Sequence, residues 1–185
     1  MSTDEGCGSA EGAAGASRRH VITAAACAAV LPVALPTVAS AATAEDEKFM
    51  RMAIEEARQG DYPFGTVIVR DGQVIARGCN LGKRNDDPTA HGEMVAIRRC
   101  LAEHGSAALV GSTLYTSGES CVMCMGAILW CGFGRLVFAA SIDQLATKIN
   151  QIMIWDAYIA SKESFDPISI TGGVLAAEAM QLFSK

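Results

Sequence analysis

Two short stretches hold side chains that could do chemistry together. "AHGEM" carries His91 and Glu93, and "SGESCVMCMGAILW" (117–130) carries Cys121 and Cys124. A cysteine pair three residues apart can serve as a redox couple, as half of a structural zinc site, or as part of a catalytic metal centre. On a helix, i and i+3 project from one face. Both sulfurs would lie in the first turn, where unpaired N–H groups and the helix dipole favour thiolate. Zinc favours thiolate and imidazole, and a catalytic site uses three protein ligands with the fourth position left for water. His91, at the start of another expected helix, would complete a His/Cys/Cys set. Glu93, two residues on, leaves the backbone on a different side. It could stand beside a metal-bound water without being a ligand, which is what a proton carrier needs. Each pair alone is weak: Cys-x-x-Cys arises by chance, and most His-x-Glu pairs are simply solvated. Together, each heading a helix after a loop or strand, they point to a catalytic metal centre.

The elements that must position these residues can be read along the chain. "AEDEKFMRMAIEEARQG" (44–60) places Phe49, Met52, Ala53 and Ala57 on one face and stops at Gly60, as an amphipathic helix would. "GTVIVRDGQVIARGCN" is two β-branched runs joined by Asp71-Gly72, a hairpin signal. "LGKRNDDPT" is a loop, and "AHGEMVAIRRCLAEHG" a helix closed by Gly105. "STLYTS" and "RLVFAAS" are strands flanking the helix "CVMCMGAILWCG". Residues 141–163 give no clear period. "ISITGG" is a short strand or loop, and "VLAAEAMQLFSK" a terminal helix. Strands alternating with helices make the class α/β, with a sheet covered on both faces. Trp130, Cys131 and Phe133, just past the cysteine helix, are expected in the core. His104 is expected to be solvated.

The first 41 residues read differently. Arg18-Arg19, preceded by Ser17, leads into an Ala-rich apolar run broken by Pro32 and Pro36 and ending in Ala39-Ser40-Ala41. This fits a cleavable export signal of twin-arginine type, with an uncleaved membrane anchor as the alternative. The mature domain, 45–185, would then be periplasmic or extracellular, without a stable membrane partner. It keeps Cys79, Cys100, Cys121, Cys124 and Cys131, an odd number that argues against a complete disulfide framework. The whole chain is 185 residues with a net charge of −5, enough for one domain and a leader. That charge disfavours a protein built mainly to grip phosphate backbones.

The motifs "TAHGEM" and "SGESCVMCMGAILW" resemble the zinc-dependent cytidine deaminase-like superfamily, whose signature is H-x-E followed by P-C-x-x-C. "PFGTVIVRDGQVIARGCN", "NDDPTAHGEMVAIRRC" and "ISITGGVLAAEAMQLF" extend the likeness over about residues 45–184, most closely to bacterial nucleoside and guanine deaminases. The resemblance implies a three-layer α/β/α fold around a mixed five-stranded sheet. It implies His91, Cys121 and Cys124 as Zn2+ ligands, Glu93 as proton shuttle, and a homodimer. Asn80 resembles the family's substrate-binding asparagine, with turn capping as its plainer role. Phe64 would wall the pocket or pack in the core. Asp156 would contact an exocyclic amine or ring nitrogen of a guanine-type substrate. Two positions depart from the pattern. Ser120 replaces the usual proline, where it could act as an N-cap. Gly92 replaces the common alanine, where it would let a substrate approach the backbone.

The implied reaction is hydrolytic deamination of a free nucleobase or nucleoside, with guanine-type purines ahead of cytosine. The acidic chain and a terminal helix with one basic residue disfavour nucleic acid, so a tRNA adenosine deaminase is an alternative of lower rank. A catalytically silent zinc-stabilised binding protein leaves Glu93 without a purpose. A thiol–disulfide protein leaves both His91 and Glu93 without one.

Overall fold

Asp71 and Gly72 adopt φ of 51° and 71°, the left-handed pair that a tight hairpin turn demands. They join β1 (Gly65–Arg70) to β2 (Gln73–Cys79) in antiparallel register, with Arg70 opposite Gln73. The register shifts between Ile68 and Val69, a bulge within the pair. The computed structural model describes residues 42–163 and 166–184, so the leader expected over 1–41 lies outside the described residues. β3 (Thr113–Gly118) pairs antiparallel with β1, β4 (Arg135–Ala140) parallel with β3, and β5 (Ser169–Thr171) parallel with β4. The order β2-β1-β3-β4-β5 is the expected mixed five-stranded sheet. Each parallel step needs a crossover. α3 (Val122–Trp130) supplies the first, and α4 (Ile142–Ala146) with α5 (Asp156–Glu163) the second.

Strand alternation splits the apolar residues between two faces. Val67, Val69, Tyr115 and Val137 pack with Phe49, Met50, Ala53 and Ile54 of α1 (Ala44–Ala57) and with Ala179 of α6 (Ala176–Met180). Ile68, Leu114 and Leu136 pack with Ala96, Ile97 and Cys100 of α2 (Gly92–His104), Met125 and Ile128 of α3, and Ile159 of α5. Helices therefore cover both faces, as expected.

α1 is fixed at both levels. Thr43 caps it, with a capping box completed by Asp46. Asp46 is also buried and accepts from Arg135 Nη1 at 2.6 Å, Arg135 Nη2 at 3.1 Å and Tyr115 Oη at 3.0 Å. One carboxylate thus starts the helix and ties it to β3 and β4. The buried face of α1 is Phe49, Met50, Ala53, Ile54 and Ala57, while Met52 is only half-buried. Three of the four residues expected on this face, Phe49, Ala53 and Ala57, are buried, and Met50 and Ile54 join them in place of Met52. Gly65 permits the close packing of α1, because a Cβ there would fall on Ala57 N and Ala53 O.

Three further expectations change. Trp130 is 79% exposed; it lies on the same helical face as Val122 and Gly126, whereas Met125 and Ile128 face the sheet. Cys131 is half-buried, and Phe133 is in the core. The unreadable stretch 141–163 resolves into two short helices: α4, with Ser141 and Gln144 forming a capping box, and α5. The terminal helix is shorter than expected: Leu175 at φ 57° precedes α6, which passes into a 3-10 turn at Gln181–Phe183. Among the described residues no helix is long and apolar enough to cross a membrane.

Candidate metal centre and active-site cavity

The cysteines sit where β3 hands over to α3. Cys121 is the N-cap, at φ −73° and ψ 166°, and Cys124 lies in the first turn. His91 is the N-cap of α2, at φ −67° and ψ 159°, and its side chain makes no capping bond. The two helix starts meet. His91 Nδ1 lies 3.6 Å from Cys121 Sγ and 3.6 Å from Cys124 Sγ, and all three donor atoms are within 4.8 Å of one another.

These separations test the fit of zinc. Tetrahedral zinc with Zn–S of about 2.3 Å and Zn–N of about 2.05 Å separates a sulfur from a nitrogen by about 3.6 Å. The observed spacing agrees. The electrostatics agree too. Hydrogen bonding from Cys124, with help from His91, brings the Cys121 thiol down to about 4. The neighbouring Cys121 sulfur, burial and Glu93 push Cys124 up. Two adjacent sulfurs do not both ionise unaided, and a bound cation would supply the compensation. His91 is raised by its contact with Cys121, with burial opposing and Glu93 assisting.

Glu93 follows His91 on the first turn of α2 and is 5% exposed. Burial raises its pKa, Cys121 adds to the rise, and His91 and the adjacent Ser120 oppose it. Ser120 Oγ nonetheless has no well-formed hydrogen bond. Glu93, His91 and Cys121 line a cavity of about 710 Å³. Asn80 and Phe64 line it as well. Asn80 Oδ1 accepts from Gly82 N at 3.0 Å, so Asn80 shapes the loop as well as facing the cavity. Phe64 also stacks on Phe183 at 5.4 Å. At the rim, Lys83 Nζ lies 4.7 Å over the Tyr62 ring, and both residues face the cavity.

Gly92 and Asp156 do not line the cavity. A Cβ on Gly92 would lie 3.0 Å from Phe64 O and 3.2 Å from Thr66 Oγ1. Its glycine lets α2 pack closely against the start of β1. Asp156 is fully buried at the start of α5, where its Oδ2 accepts from Ser120 N at 3.1 Å. Burial pushes its carboxyl up to about 9, with Glu119 adding to the effect. Ser120 is not the N-cap of α3, because Cys121 takes that place.

Sequence reasoning missed Glu119, which lines the cavity and accepts from Ile142 N at 2.8 Å and Asp156 N at 3.0 Å. An acid two residues before Cys121 was visible but had no apparent partner. It also missed the wall formed by Ile149, Asn150, Gln151 and Ile152, which falls in the stretch without a period.

Comparison with known proteins agrees with this geometry. Residues 43–140 match the cytidine and deoxycytidylate deaminase zinc-binding region. The chain belongs to that zinc-binding deaminase family. It is 38% identical to a tRNA-specific adenosine deaminase of Haemophilus influenzae over 144 residues, 75% of this chain and 81% of the relative. It is 42% identical to a guanine deaminase of Bacillus subtilis over 99 residues, 51% of this chain and 64% of the relative. A solved tRNA deaminase that edits adenosine to inosine at the wobble position superposes with a TM-score of 0.64 at 30% identity, covering 73% of this chain and 98% of that one. The expectation that nucleic acid is not a partner conflicts with the tRNA-acting relatives.

Proposed function

We propose that this chain hydrolyses the exocyclic amine of an adenosine presented in a tRNA, releasing ammonia and leaving inosine. The observation that carries the reaction is Glu93, a buried carboxylate facing the cavity beside three metal donors and outside the donor set. A structural zinc site has no need of it. When bound at His91, Cys121 and Cys124, zinc supplies Lewis-acid activation of a water.

The remaining work falls to the protein. Glu93 accepts the proton of the attacking water and delivers it to the ring nitrogen beside the attacked carbon. It then takes the remaining hydroxyl proton and transfers it to the departing amine. Water and the amino heterocycle thereby become the oxo heterocycle and ammonia. A carboxyl raised by burial suits a group that must both take and return a proton. Phe64 and Asn80 wall the cavity where the base would rest.

For the substrate, the support comes from the relatives and from the cavity. Deaminases of this class read nucleotides flanking the target base, and an exposed aromatic with a lysine over it is a surface on which such a neighbour can stack. The second reading is a free guanine-type base, which the Bacillus subtilis relative favours.

The test is ammonia release by the zinc-loaded full chain from an anticodon stem-loop with adenosine at the wobble position, and from adenosine, guanine and cytosine. Release from the stem-loop, weakening as salt rises, is the expected result. Release from guanine alone moves the assignment to the second reading. No release from any of them, with zinc bound, refutes both.

A further inference from the structure

Ser120 stands where the family signature has proline, one residue before Cys121. Proline has no N–H, whereas serine brings one. Here that N–H is buried with the rest of Ser120, which is 0% exposed, and must find an acceptor inside the protein. It finds Asp156 Oδ2 at 3.1 Å, 36 residues along the chain.

Asp156 is itself held in place. Its own N–H donates to Glu119 Oε1 at 3.0 Å, and Glu119 Oε2 accepts from Ile142 N at 2.8 Å. Two residues of the ligand loop, Glu119 and Ser120, are thus joined to the starts of α4 and α5 by three bonds from backbone N–H groups to side-chain carboxyl oxygens. Asp156 is fully buried and does not face the cavity; its side chain meets the ligand loop at the Ser120 N–H, and its backbone N–H meets it at Glu119.

We propose that Asp156 is a positioning residue for the metal ligands, clamping the Ser120 N–H and so fixing the entry to α3 that a proline ring would otherwise fix. The clamp sets the backbone from which Cys121 projects, and through it the meeting of Cys121 and Cys124 with His91. The proposal rests on the zinc site and not on the identity of the substrate. Partners one shell out from a metal ligand commonly govern metal affinity, because they set the ligand's orientation.

The test uses the full chain and reads zinc affinity by competition with a chromophoric chelator, so failure of the substrate assignment leaves it unaffected. Asp156→Ala should weaken zinc binding by about tenfold or more. Asp156→Asn, whose amide oxygen still accepts from Ser120 N–H, should bind zinc like the parent. In the double variant Ser120→Pro/Asp156→Ala the N–H no longer exists and the ring fixes the backbone, so affinity should return towards the parent value. A merely space-filling Asp156 predicts no such rescue. Unchanged zinc affinity in Asp156→Ala, or a double variant as weak as the single one, overturns the proposal. If Asp156→Ala yields no folded protein, the same comparison is read as recovery of soluble, zinc-bearing protein by the added proline, and failure to recover it overturns the proposal equally.

Discussion

Replacing Glu93 by glutamine separates proton transfer from metal binding. The side chain keeps its length, it is buried, and the three donor atoms belong to other residues. Zinc should therefore remain at parental stoichiometry. General acid–base catalysis contributes about 10²–10⁴-fold per group. The structure puts Glu93 at the top of that range, because the cavity offers no replacement. Of the other acids that line it, Glu119 has both oxygens engaged by Ile142 N and Asp156 N. Asp87 is tied to Thr89 and Arg98, and Asp86 is exposed. A loss of about 10⁴ in turnover, or about 5.4 kcal/mol of transition-state stabilisation at 1.36 kcal/mol per decade, is expected. Stability should move the other way. Burial raises the Glu93 pKa above the usual 4.5, so its contribution to stability is complete below 4.5 and is lost as pH rises towards the raised value. Removing the charge should leave Tm at neutral pH unchanged or higher. The assay is ammonia release, with zinc content and Tm measured on the same preparation. Turnover within tenfold of the parent, or loss of zinc together with activity, would refute the role assigned to Glu93.

Three further outcomes follow from the geometry. Asp46→Asn should cost about 2 kcal/mol at pH 7, read by urea unfolding: burial opposes ionisation of Asp46, but hydrogen bonds led by Arg135 hold its pKa at about 2 against an ordinary 3.8. Because that pKa is lowered, the contribution is fully present above 3.8 and fades as pH falls through about 2, so parent and variant should converge in acid. Asp156 behaves oppositely: with its pKa raised from 3.8 to about 9, its stabilisation is complete below 3.8 and is lost as pH rises through that window. Asp156→Asn should flatten the fall of Tm over this range, and an unchanged slope would count against the buried neutral acid. Gly65→Ala should be severely destabilising, because its Cβ falls on the backbone of α1 and no side chain can yield; a parental Tm would show that α1 can shift.

The sequence by itself determined the parts that depend on local physics. The hairpin at Asp71-Gly72 was legible because Asp-Gly is a pair that readily takes the left-handed conformation a tight two-residue turn uses. Both helix starts carrying the metal donors were legible because ligand chemistry restricts residue type and spacing so strongly. Glu93 was legible for the same reason, since a carboxylate two residues from a ligand histidine is specific once the cysteines are in view. Only the tertiary structure decided how distant segments share one buried space. It turned Trp130 outward, because α3 is apolar on every side and its amphipathic period therefore carries no information. It took Asp156 off the cavity wall and put it under Ser120, and it set Gly92 in a close helix–strand contact. It also closed the cavity with residues 149–152, from a stretch without a repeating pattern. Burial and pairing of polar groups across 30 or more residues have no local signal, because the partner's position is fixed by how the helices lie on the sheet.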